Sequence, residues 1–384
     1  MSALFQNYAR RSIHITEGKG TVVKDENGKS YLDFTSGIAV VSLGHAHPSI
    51  VKTLQEQSEK LWHISNLFES PAQEKLAGTL TADIPLDCAF FCNSGAEANE
   101  AAIKLARKAT GKHVIVTFEQ SFHGRTTGAM AATGQDKVKQ GFGPLMPEFR
   151  TVPFNDVEAL KKAVKEDTAA IMLEVIQGEG GVNVIQDSFA KEIQELCDST
   201  GVLLIIDEVQ TGIGRTGTRY AFEQTPLVPD IVTLAKGLGG GFPIGSMLGT
   251  ECLSTHFGPG THGTTFGGNP LAVSVAQTVV DHVFNASFLQ EVKEKEHVLR
   301  EQLAPLLDLP EVKGLTGKGL MLGVVLHDEA APIVQQAEEN GLLLVPAGPN
   351  VIRMLPPLTV TEQELKEAAA ILIQTIHEHS KVKS

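Results

Sequence analysis

Between about residues 85 and 250, short apolar runs alternate with longer stretches in which apolar residues recur every three to four positions. The short runs predict strands, and the longer stretches predict amphipathic helices. Several of the short runs lack polar alternation, which is typical of strands buried on both faces. The predicted strands are residues 88–92, 113–118, 169–175, 202–209 and 231–235, and two predicted helices are residues 96–108 and 187–199.

Strands and helices in turn indicate an α/β fold, in which helices cover both faces of a central, mainly parallel sheet. The chain ends carry other patterns. Asn27-Gly28 predicts a hairpin turn between two short strands, and a long helical pattern follows Asn269-Pro270. The expected division is an N-terminal segment that packs with the small domain (1–50), a large α/β domain (51–272) and a small C-terminal α+β domain (273–384).

The composition is that of a globular protein. The 384 residues are 42% hydrophobic and 20% charged, with a net charge of −13 at pH 7. A chain of this length can bury a full core, and the hydrophobic content excludes wholesale disorder. Net acidity argues against binding to nucleic acid or to an anionic membrane. No apolar run approaches the roughly 18 residues that a membrane-spanning helix needs.

Four cysteines and thirteen histidines could suggest a disulfide or a metal site. Cys88 and Cys92 lie in the predicted strand CAFFC, which separates them by about 13 Å, too far for a disulfide or a shared metal ion. His45-Ala46-His47 has no second pair of residues at the spacing of metal ligands. We therefore expect reduced cysteines in the core of a cytoplasmic protein, and no metal site.

The predicted strand 88–92 leads into NSGAEANE, a turn of small and polar residues. Ser94 and Glu97 form an S-x-x-E capping box, so a helix is expected to begin here. A helix N-terminus has unpaired N–H groups and the positive end of the helix dipole, and both favour a phosphate. An ordinary, well-capped helix would explain the same residues.

Two further predicted strands bring charged residues to the region where the sheet ends. The strand 202–209 carries Asp207 and Glu208, and the strand 231–235 is followed by Lys236 and a glycine-rich stretch. A lysine beside a buried strand can have a lowered pKa and form a Schiff base. The alternatives are a helix cap or structural ion pair for the acids, and a solvated surface charge for the lysine.

The strand 113–118 is followed by SFHGRT, which offers an aromatic face at Phe122 and a guanidinium at Arg125 that could hold a carboxylate with two hydrogen bonds. The segment GIGRTG, residues 212–217, fits the G-x-G-x-x-G pattern of dinucleotide sites. However, the strand before it ends in two acids and no apolar helix follows it. A nicotinamide or flavin site is therefore disfavoured.

The segments NSGAEANE, SFHGRT, QGEGG, LLIIDEVQTGIGRTG, LAKGLGGGFPIG, HGTTFGGNP and GKGLMLG together form a highly specific combination. The chain resembles the class III (ornithine-type) aminotransferases, which are pyridoxal-phosphate enzymes of the aspartate aminotransferase fold (fold type I). The resemblance runs nearly end to end, from Tyr31-Leu32-Asp33 to Val351-Ile352-Arg353. It implies the same fold and a transamination reaction.

The resemblance implies one pyridoxal 5′-phosphate per subunit, held by Lys236 as a Schiff base. Lys236 would then act as general base and acid, and Asp207 would pair with the pyridine nitrogen and keep the ring electron-withdrawing. The other implied cofactor contacts are the backbone N–H groups of Gly95 and Ala96 at the phosphate, Phe122 on the ring, Gln210 at the phenolic oxygen, and Thr265 at the phosphate of the neighbouring subunit's cofactor.

The resemblance also implies substrate contacts and a homodimer with its active sites at the interface. Arg125 would bind the substrate's α-carboxylate, with Thr264 near it. Arg353 matches an arginine that binds glutamate's carboxylate, and Glu179 matches a glutamate that neutralises this arginine when the other substrate is bound. Such an alternating partner is physically sensible, because an unpaired buried arginine is costly.

Within the class, residues 348–358 and the short N-terminus are most similar to members that act on acetylornithine in arginine biosynthesis. This implies transfer of the terminal amino group of N2-acetyl-L-ornithine to 2-oxoglutarate, which yields L-glutamate. Three alternatives stay open. Ornithine, succinylornithine or 4-aminobutyrate could be the donor, the enzyme could be an intramolecular aminomutase, or the chain could bind the cofactor without turnover.

The chain departs from the family's pattern at three places. Ala96 stands where a threonine is common, which leaves only backbone donors for the phosphate at that position. Val175 replaces a proline after the glutamate that precedes QGEGG. Val41-Ser42 stands where acetylornithine enzymes often have an asparagine, which weakens the assignment of the donor. None of these changes affects Lys236 or Asp207.

Overall fold

A seven-stranded sheet forms the centre of the protein in a computed structural model that describes residues 2–383. The strands are β1 (Ile15–Lys19), β2 (Val22–Asp25), β3 (Ser30–Asp33), β4 (Cys88–Cys92), β5 (Val114–Phe118), β6 (Phe149–Val152), β7 (Thr168–Leu173), β8 (Ile176–Gln177), β9 (Asn183–Val184), β10 (Leu203–Asp207), β11 (Ile231–Leu234), β12 (Gly245–Gly249), β13 (Val312–Lys318), β14 (Met321–Leu326), β15 (Leu342–Leu343), β16 (Val345–Ala347) and β17 (Val351–Met354).

Helices precede, separate and follow these strands. They are α1 (Ser36–Ala39), α2 (Pro48–Ser58), α3 (Pro71–Thr81), α4 (Gly95–Thr110), α5 (Thr127–Ala132), α6 (Val157–Ala163), α7 (Asp187–Thr200), α8 (Glu251–Ser254), α9 (Pro270–Val283), α10 (Ala286–Leu303), α11 (Ala331–Glu339) and α12 (Glu362–Lys383). The element α1 is a single left-handed turn, because all four of its residues have positive φ.

The order across the central sheet is β4-β12-β11-β10-β7-β5-β6. The strands from β11 to β6 run parallel, whereas β12 is antiparallel to both of its neighbours. The predicted α/β class with a mainly parallel central sheet is therefore confirmed. The five predicted strands correspond to β4, β5, β7, β10 and β11, and their ends differ from the predicted ends by at most two residues.

Two central strands, β6 and β12, were absent from the prediction. The sequence of β12 is GSMLG, and its two glycines hide it from a pattern that looks for β-branched residues. The structure explains one of these glycines. A Cβ at Gly245 would lie 2.4 Å from the carbonyl oxygen of Ser94, so the strand can pass this close to the start of α4 only without a side chain.

The two long helices predicted in the central region both form, as α4 and α7. Ser94 begins α4 as predicted, since its hydroxyl accepts a hydrogen bond from the Glu97 N–H at 3.2 Å. Left-handed glycines, Gly111 and Gly201, end the two helices. On α4 the buried face carries mostly alanine, so this helix packs closely over the sheet and brings its N-terminus to the sheet's edge.

Two four-stranded sheets are formed by the chain ends. The predicted hairpin is present as β2 and β3, in the sheet β1-β2-β3-β15, and Gly28 in its turn has a positive φ. The pairing of β3 with β15 is parallel and joins the N-terminal segment to the C-terminal region. The other sheet, β13-β14-β17-β16, carries Arg353 on β17.

The GIGRTG segment is a packed loop. Arg215 is buried and donates hydrogen bonds to the carbonyl oxygens of Leu320 and Pro356, at 3.0 and 2.6 Å. A Cβ at Gly214 would lie 2.4 Å from Val283. The glycines and arginine of this segment thus join the loop to the C-terminal region, and this accounts for the motif without a nucleotide.

The cysteines are only partly where we expected them. Cys92 and Cys197 are buried and Cys88 is half-buried, but Cys252 is exposed, because it lies on the short surface helix α8. Within residues 2–383, no helix combines the length and the apolar character that crossing a membrane requires. In the same part of the chain, no group of three or more metal-ligating side chains is arranged around a common point.

Candidate active site

The carboxyl ends of β4, β5, β10 and β11 meet at one edge of the central sheet, and a cavity of about 450 Å³ lies there. The β7 strand also ends near this edge, and the segment after it contributes to the wall. Most of the predicted site residues line this cavity: Gly95, Ala96, Phe122, Arg125, Glu179, Asp207, Gln210 and Lys236. The positions where parallel strands end are thus the positions that deliver polar groups, as expected for this class of sheet.

Lys236 follows β11 after one intervening residue, Ala235, and begins a short 3-10 turn, where it has a φ of +40°. Its amine has no hydrogen-bond or ion-pair partner among the described residues. Burial lowers the pKa of Lys236 to about 8, against the opposing attraction of Glu179. A substantial fraction of this amine is therefore neutral near pH 8, which a nucleophilic amine requires.

Asp207 ends β10 and is buried. Its Oδ2 accepts hydrogen bonds from Nδ2 of Asn99 and Nδ1 of His123, both at 2.8 Å, and its Oδ1 accepts one from the N–H of Val209 at 3.0 Å. For His123, burial alone would lower the pKa, but the hydrogen bond and charge of Asp207 outweigh it and raise the pKa. Asp207 is thus a carboxylate held in place from two sides, with one edge open to the cavity.

The turn at the N-terminus of α4 has the features of an anion site. The N–H groups of Gly95 and Ala96 have no acceptor among the residues that the structure describes, and both residues line the cavity. The Ser94 hydroxyl, in contrast, already has a partner, because it caps the helix by accepting a hydrogen bond from the Glu97 N–H. A Cβ at Gly95 would lie 2.7 Å from Val209, so a glycine is required at this turn.

Phe122 and Arg125 lie on the loop after β5, on the cavity wall. Phe122 is half-buried, and its N–H donates to the buried Glu174 carboxylate at 3.0 Å. Arg125 is exposed, and its guanidinium lies over the Phe122 ring at 5.7 Å from the ring centre. The aromatic face therefore borders the cavity, while the arginine is free to bind a carboxylate at the cavity mouth.

Glu179 and Arg353 form an ion pair at the edge of the cavity. Nη1 of Arg353 lies 2.7 Å from Oε1 of Glu179, and it also donates to the Gly178 carbonyl at 2.7 Å and to Oε1 of Gln210 at 2.9 Å. Arg353 is almost completely buried, and its Nε has no hydrogen-bond partner among the described residues. Burial disfavours ionisation of Glu179, but the attraction of Arg353 outweighs it and lowers the pKa.

Gln210 lies at the cavity, but in the structure its side chain is engaged with Glu179 and Arg353. Thr264 and Thr265 do not line the cavity. Thr264 is nevertheless close, because its hydroxyl accepts a hydrogen bond from Nδ2 of Asn93 at 3.2 Å. Thr265 lies on a separate surface, where His63 contacts its carbonyl at 2.6 Å.

Comparison with known families gives a match over nearly the whole chain. The model described as "Aminotransferase class-III" matches residues 5–376. The chain belongs to this family. The lysine, the strand-end aspartate and the helix N-terminus that meet in the cavity are thus found in a class-III aminotransferase, a pyridoxal-phosphate-dependent transaminase.

Relatives and solved structures agree with this membership. The acetylornithine aminotransferase of Halalkalibacterium halodurans is 58% identical to this class-III aminotransferase, over 99% of both chains. The crystal structure of N-acetylornithine aminotransferase from Stenotrophomonas maltophilia K279a has a TM-score of 0.86 at 39% identity, with 98% of each chain covered. An ornithine aminotransferase structure from Toxoplasma gondii, described as having partial occupancy of PLP at its active site, has a TM-score of 0.92 at 34% identity, with 97% and 92% covered.

The residues present in this class-III aminotransferase fit pyridoxal phosphate. Two unpaired N–H groups at a helix N-terminus suit its phosphate. The lysine amine, which lacks a partner, and the carboxylate lie on the same cavity, and an aromatic side chain borders it. The cradle is also shaped by glycine, because a side chain at Gly95 would collide with Val209.

Several residues of the site were missed by the sequence analysis. Asn99 and His123 lie inside quoted motifs but look like ordinary helix and loop residues, and only the fold brings both to Asp207. Glu174 ends up buried beside the cavity, where burial raises its pKa although the charge of His123 acts in the opposite direction. Ser42, noted only as a departure, donates its hydroxyl to the carbonyl of Gly237 at 2.9 Å, next to Lys236.

Proposed function

We propose that this class-III aminotransferase transfers the terminal amino group of N2-acetyl-L-ornithine to 2-oxoglutarate. The products are N-acetyl-L-glutamate 5-semialdehyde and L-glutamate, and the reaction is a step of arginine biosynthesis in the cytoplasm. The curated relatives at 54–58% identity that carry the name acetylornithine aminotransferase support the choice of donor. The geometry of the cavity supports the chemistry.

Lys236 is proposed to hold one pyridoxal phosphate per subunit as a Schiff base. When bound, this cofactor supplies an electron sink that stabilises negative charge on the substrate carbon. Because its pKa is lowered to about 8, Nζ of Lys236 can act both as the base that takes a proton from the substrate carbon and as the acid that returns the proton. Asp207 faces the cavity between fixed donors, where it can hold a protonated ring nitrogen.

The remaining cofactor contacts have separate roles. We assign the N–H groups of Gly95 and Ala96 to the phosphate and Phe122 to the ring face, because all three line the cavity. We assign Gln210, which lines the cavity and contacts Arg353, to the cofactor's phenolic oxygen. Arg125, at the mouth, is assigned to the α-carboxylate of the acetylated donor, and Thr264 to the neighbouring part of the substrate site.

The observation that carries the proposal is the ion pair of Glu179 with Arg353. The two substrates differ in one respect at the reacting carbon: glutamate has a carboxylate beside it and acetylornithine does not. Glu179 and Gln210 line the cavity and cover Arg353, which does not line it. A substrate carboxylate can therefore reach Arg353 only if Glu179 moves, and with acetylornithine the ion pair stays closed.

We also propose that the active unit is a homodimer. Trp62, Leu67, Phe68 and Phe266 are large apolar side chains that are each more than 60% exposed. The segment that carries the first three lies against the segment around Thr265, because His63 contacts the Thr265 carbonyl and packs edge-to-face on Phe266, and Asn66 donates to the Gly267 carbonyl. An apolar surface of this kind is typical of an interface between copies, and Thr265 would reach the partner's phosphate across it.

The donor is tested by measuring kcat/KM for N2-acetylornithine, N2-succinylornithine, ornithine and 4-aminobutyrate with 2-oxoglutarate as acceptor. We expect the acetylated donor to be preferred over free ornithine by at least about tenfold. Arg125 is assigned to the carboxylate alone, and the lining of the cavity is mostly apolar, which disfavours the free α-ammonium group of ornithine. A preference for free ornithine would contradict the proposed donor and leave the transaminase assignment intact.

The chemistry is tested separately, by the visible spectrum of the purified protein. Acetylornithine without acceptor should remove the absorbance of the bound cofactor aldehyde and produce the amine form, and added 2-oxoglutarate should restore it. A protein that binds the cofactor and shows no such change in spectrum would be a binding protein without turnover. Sedimentation at micromolar concentration tests the dimer, and a monomer with full activity would refute it.

A further inference from the structure

The two carboxylate oxygens of Asp207 have different hydrogen-bond donors. Its Oδ2 receives two side-chain donors, Asn99 and His123, whereas its Oδ1 receives one backbone donor, the N–H of Val209. Asn99 is 1% exposed and lies on α4, the helix whose N-terminus forms the anion site. One helix therefore carries both the phosphate turn and a direct contact to the carboxylate.

The orientation of the Asn99 amide is determined by its surroundings. Its NH₂ group lies 2.8 Å from Asp207 Oδ2 and 2.7 Å from the His123 carbonyl, and both of these atoms are acceptors. Its Oδ1 faces the hydroxyl of Thr233, which donates at 2.7 Å. Since an acceptor must face a donor at each end, only this orientation satisfies all three contacts.

Thr233 is fully buried on β11, three residues before Lys236. Its hydroxyl is the donor that the Asn99 oxygen needs, and a valine of the same shape would leave that oxygen unpaired. The amide would then be held only at its NH₂ end, by Asp207 and the His123 carbonyl, and would be fixed less firmly against Asp207. Thr233, Asn99 and Asp207 thus form a chain of two hydrogen bonds that ends at the carboxylate.

We propose that Asn99, oriented by Thr233, is a positioning residue that holds the Asp207 carboxylate in the geometry needed to bind the ring nitrogen of the cofactor. The inference rests on the proposed function, because it needs a cofactor whose nitrogen pairs with Asp207. Asn99 borders the cavity but is almost completely buried, and its amide donates to Asp207, so it acts through that carboxylate. The charged or titratable groups that interact with Asp207 are His123, Glu174, Lys236 and the neighbouring Glu208.

The test uses three variants of the full-length protein: Thr233→Val, Asn99→Ala and the double variant. The matched control is Thr117→Val, because Thr117 is also fully buried in the central sheet and its hydroxyl contacts only that of Thr151, at 3.2 Å. Two quantities are measured: the dissociation constant of pyridoxal phosphate from the apoprotein, and the pH midpoint of the bound cofactor's visible absorbance. Thermal unfolding reports separately on stability.

We expect Asn99→Ala to raise the dissociation constant about tenfold, because it removes a hydrogen bond to a charged group. Thr233→Val should raise it about threefold, because it removes the donor that holds the Asn99 oxygen. The pH midpoint should move upward in both, since a ring nitrogen less firmly protonated withdraws less charge from the imine. The double variant should equal Asn99→Ala, because Thr233 acts through Asn99 alone. Thr117→Val should match the wild type.

A lowered thermal midpoint with an unchanged pH midpoint and dissociation constant would refute the inference, since it would mean a purely structural role. Equal effects of Thr233→Val and Thr117→Val would refute it as well. If Asn99→Ala does not fold, Thr233→Val alone decides between these outcomes. A wild-type protein that takes up no pyridoxal phosphate would overturn the proposed function and the inference with it, whereas normal uptake with unaffected variants would overturn only the inference.

Discussion

Asp207 and Glu208 are consecutive residues, yet they belong to two different regions of the molecule. Successive side chains near the end of a strand point to opposite faces of the sheet. Asp207 faces the cavity, with Asn99 and His123 as partners. Glu208 faces packed protein, where it accepts hydrogen bonds from the Thr211 hydroxyl and from the Phe222 N–H, the latter at 2.8 Å.

The two regions differ in whether their buried charged groups already have protein partners. Burial raises the pKa of Glu208 to about 7, and its oxygens are already satisfied by the loop that follows β10. Arg215 lies in the same packed region, where burial lowers its pKa to about 9 and its partners are two carbonyls. A buried charge is therefore not a functional signal in itself. In the cavity, the Lys236 amine keeps unused hydrogen-bonding capacity, whereas both carboxylate oxygens of Glu208 are occupied.

The largest expected effect comes from the lysine. Lys236→Ala should lower transamination by about 10⁵-fold or more, because it removes both the covalent attachment and the proton carrier. Lys295→Ala is the matched control, since Lys295 is also partly buried but its amine donates to the Leu358 carbonyl outside the cavity. Single-turnover conversion of the cofactor measures the effect. Wild-type turnover in Lys236→Ala would rule out its role.

The second prediction sets the two neighbouring acids against each other. Asp207→Asn should lower kcat about 10³-fold, because a neutral amide cannot stabilise charge on the ring nitrogen. Glu208→Gln should leave kcat within about twofold, because its contacts lie outside the cavity. Both rates are compared in folded protein saturated with cofactor. Similar losses in the two variants would mean that Asp207, too, is structural.

Strand ends and capping residues could be predicted from the sequence, because they depend on local patterns. The presence of Asp207 near the end of β10, that of Lys236 shortly after β11 and the cap at Ser94 are all of this kind. The long-range partners could not be predicted, since Asn99 and Asp207 are 108 positions apart and their contact exists only after the sheet and α4 have packed. Only the resemblance to a known family pointed to Arg353 and Glu179.

The third prediction concerns Arg353 and Arg215, two fully buried arginines. Arg353→Lys should raise the KM for 2-oxoglutarate about 100-fold and change the KM for acetylornithine little, since only the first substrate needs the guanidinium. Arg215→Lys should lower the thermal midpoint without such a split, because Arg215 only bonds carbonyls of the C-terminal region. The two half-reactions are measured separately for each variant. An equal change in both KM values for Arg353→Lys would contradict an alternating Glu179–Arg353 pair.

The smallest expected effect is on the pH dependence of stability, and it arises in the packed region. The folded-state pKa of Glu208 is raised from 4.5 to about 7, so the folded state binds this proton more tightly than the unfolded state does. The contribution of the protonated carboxyl to stability is therefore fully present below pH 4.5 and is lost as the pH rises to about 7. The side chain of the Glu208→Gln variant cannot ionise. Between those pH values, the free energy of unfolding of this variant should therefore fall by on the order of 2 kcal/mol less than that of the wild type. Thermal unfolding of the apoprotein at pH 5 and pH 8 measures this change. If the wild type and Glu208→Gln lose stability equally over that range, ionisation of Glu208 does not destabilise the folded state.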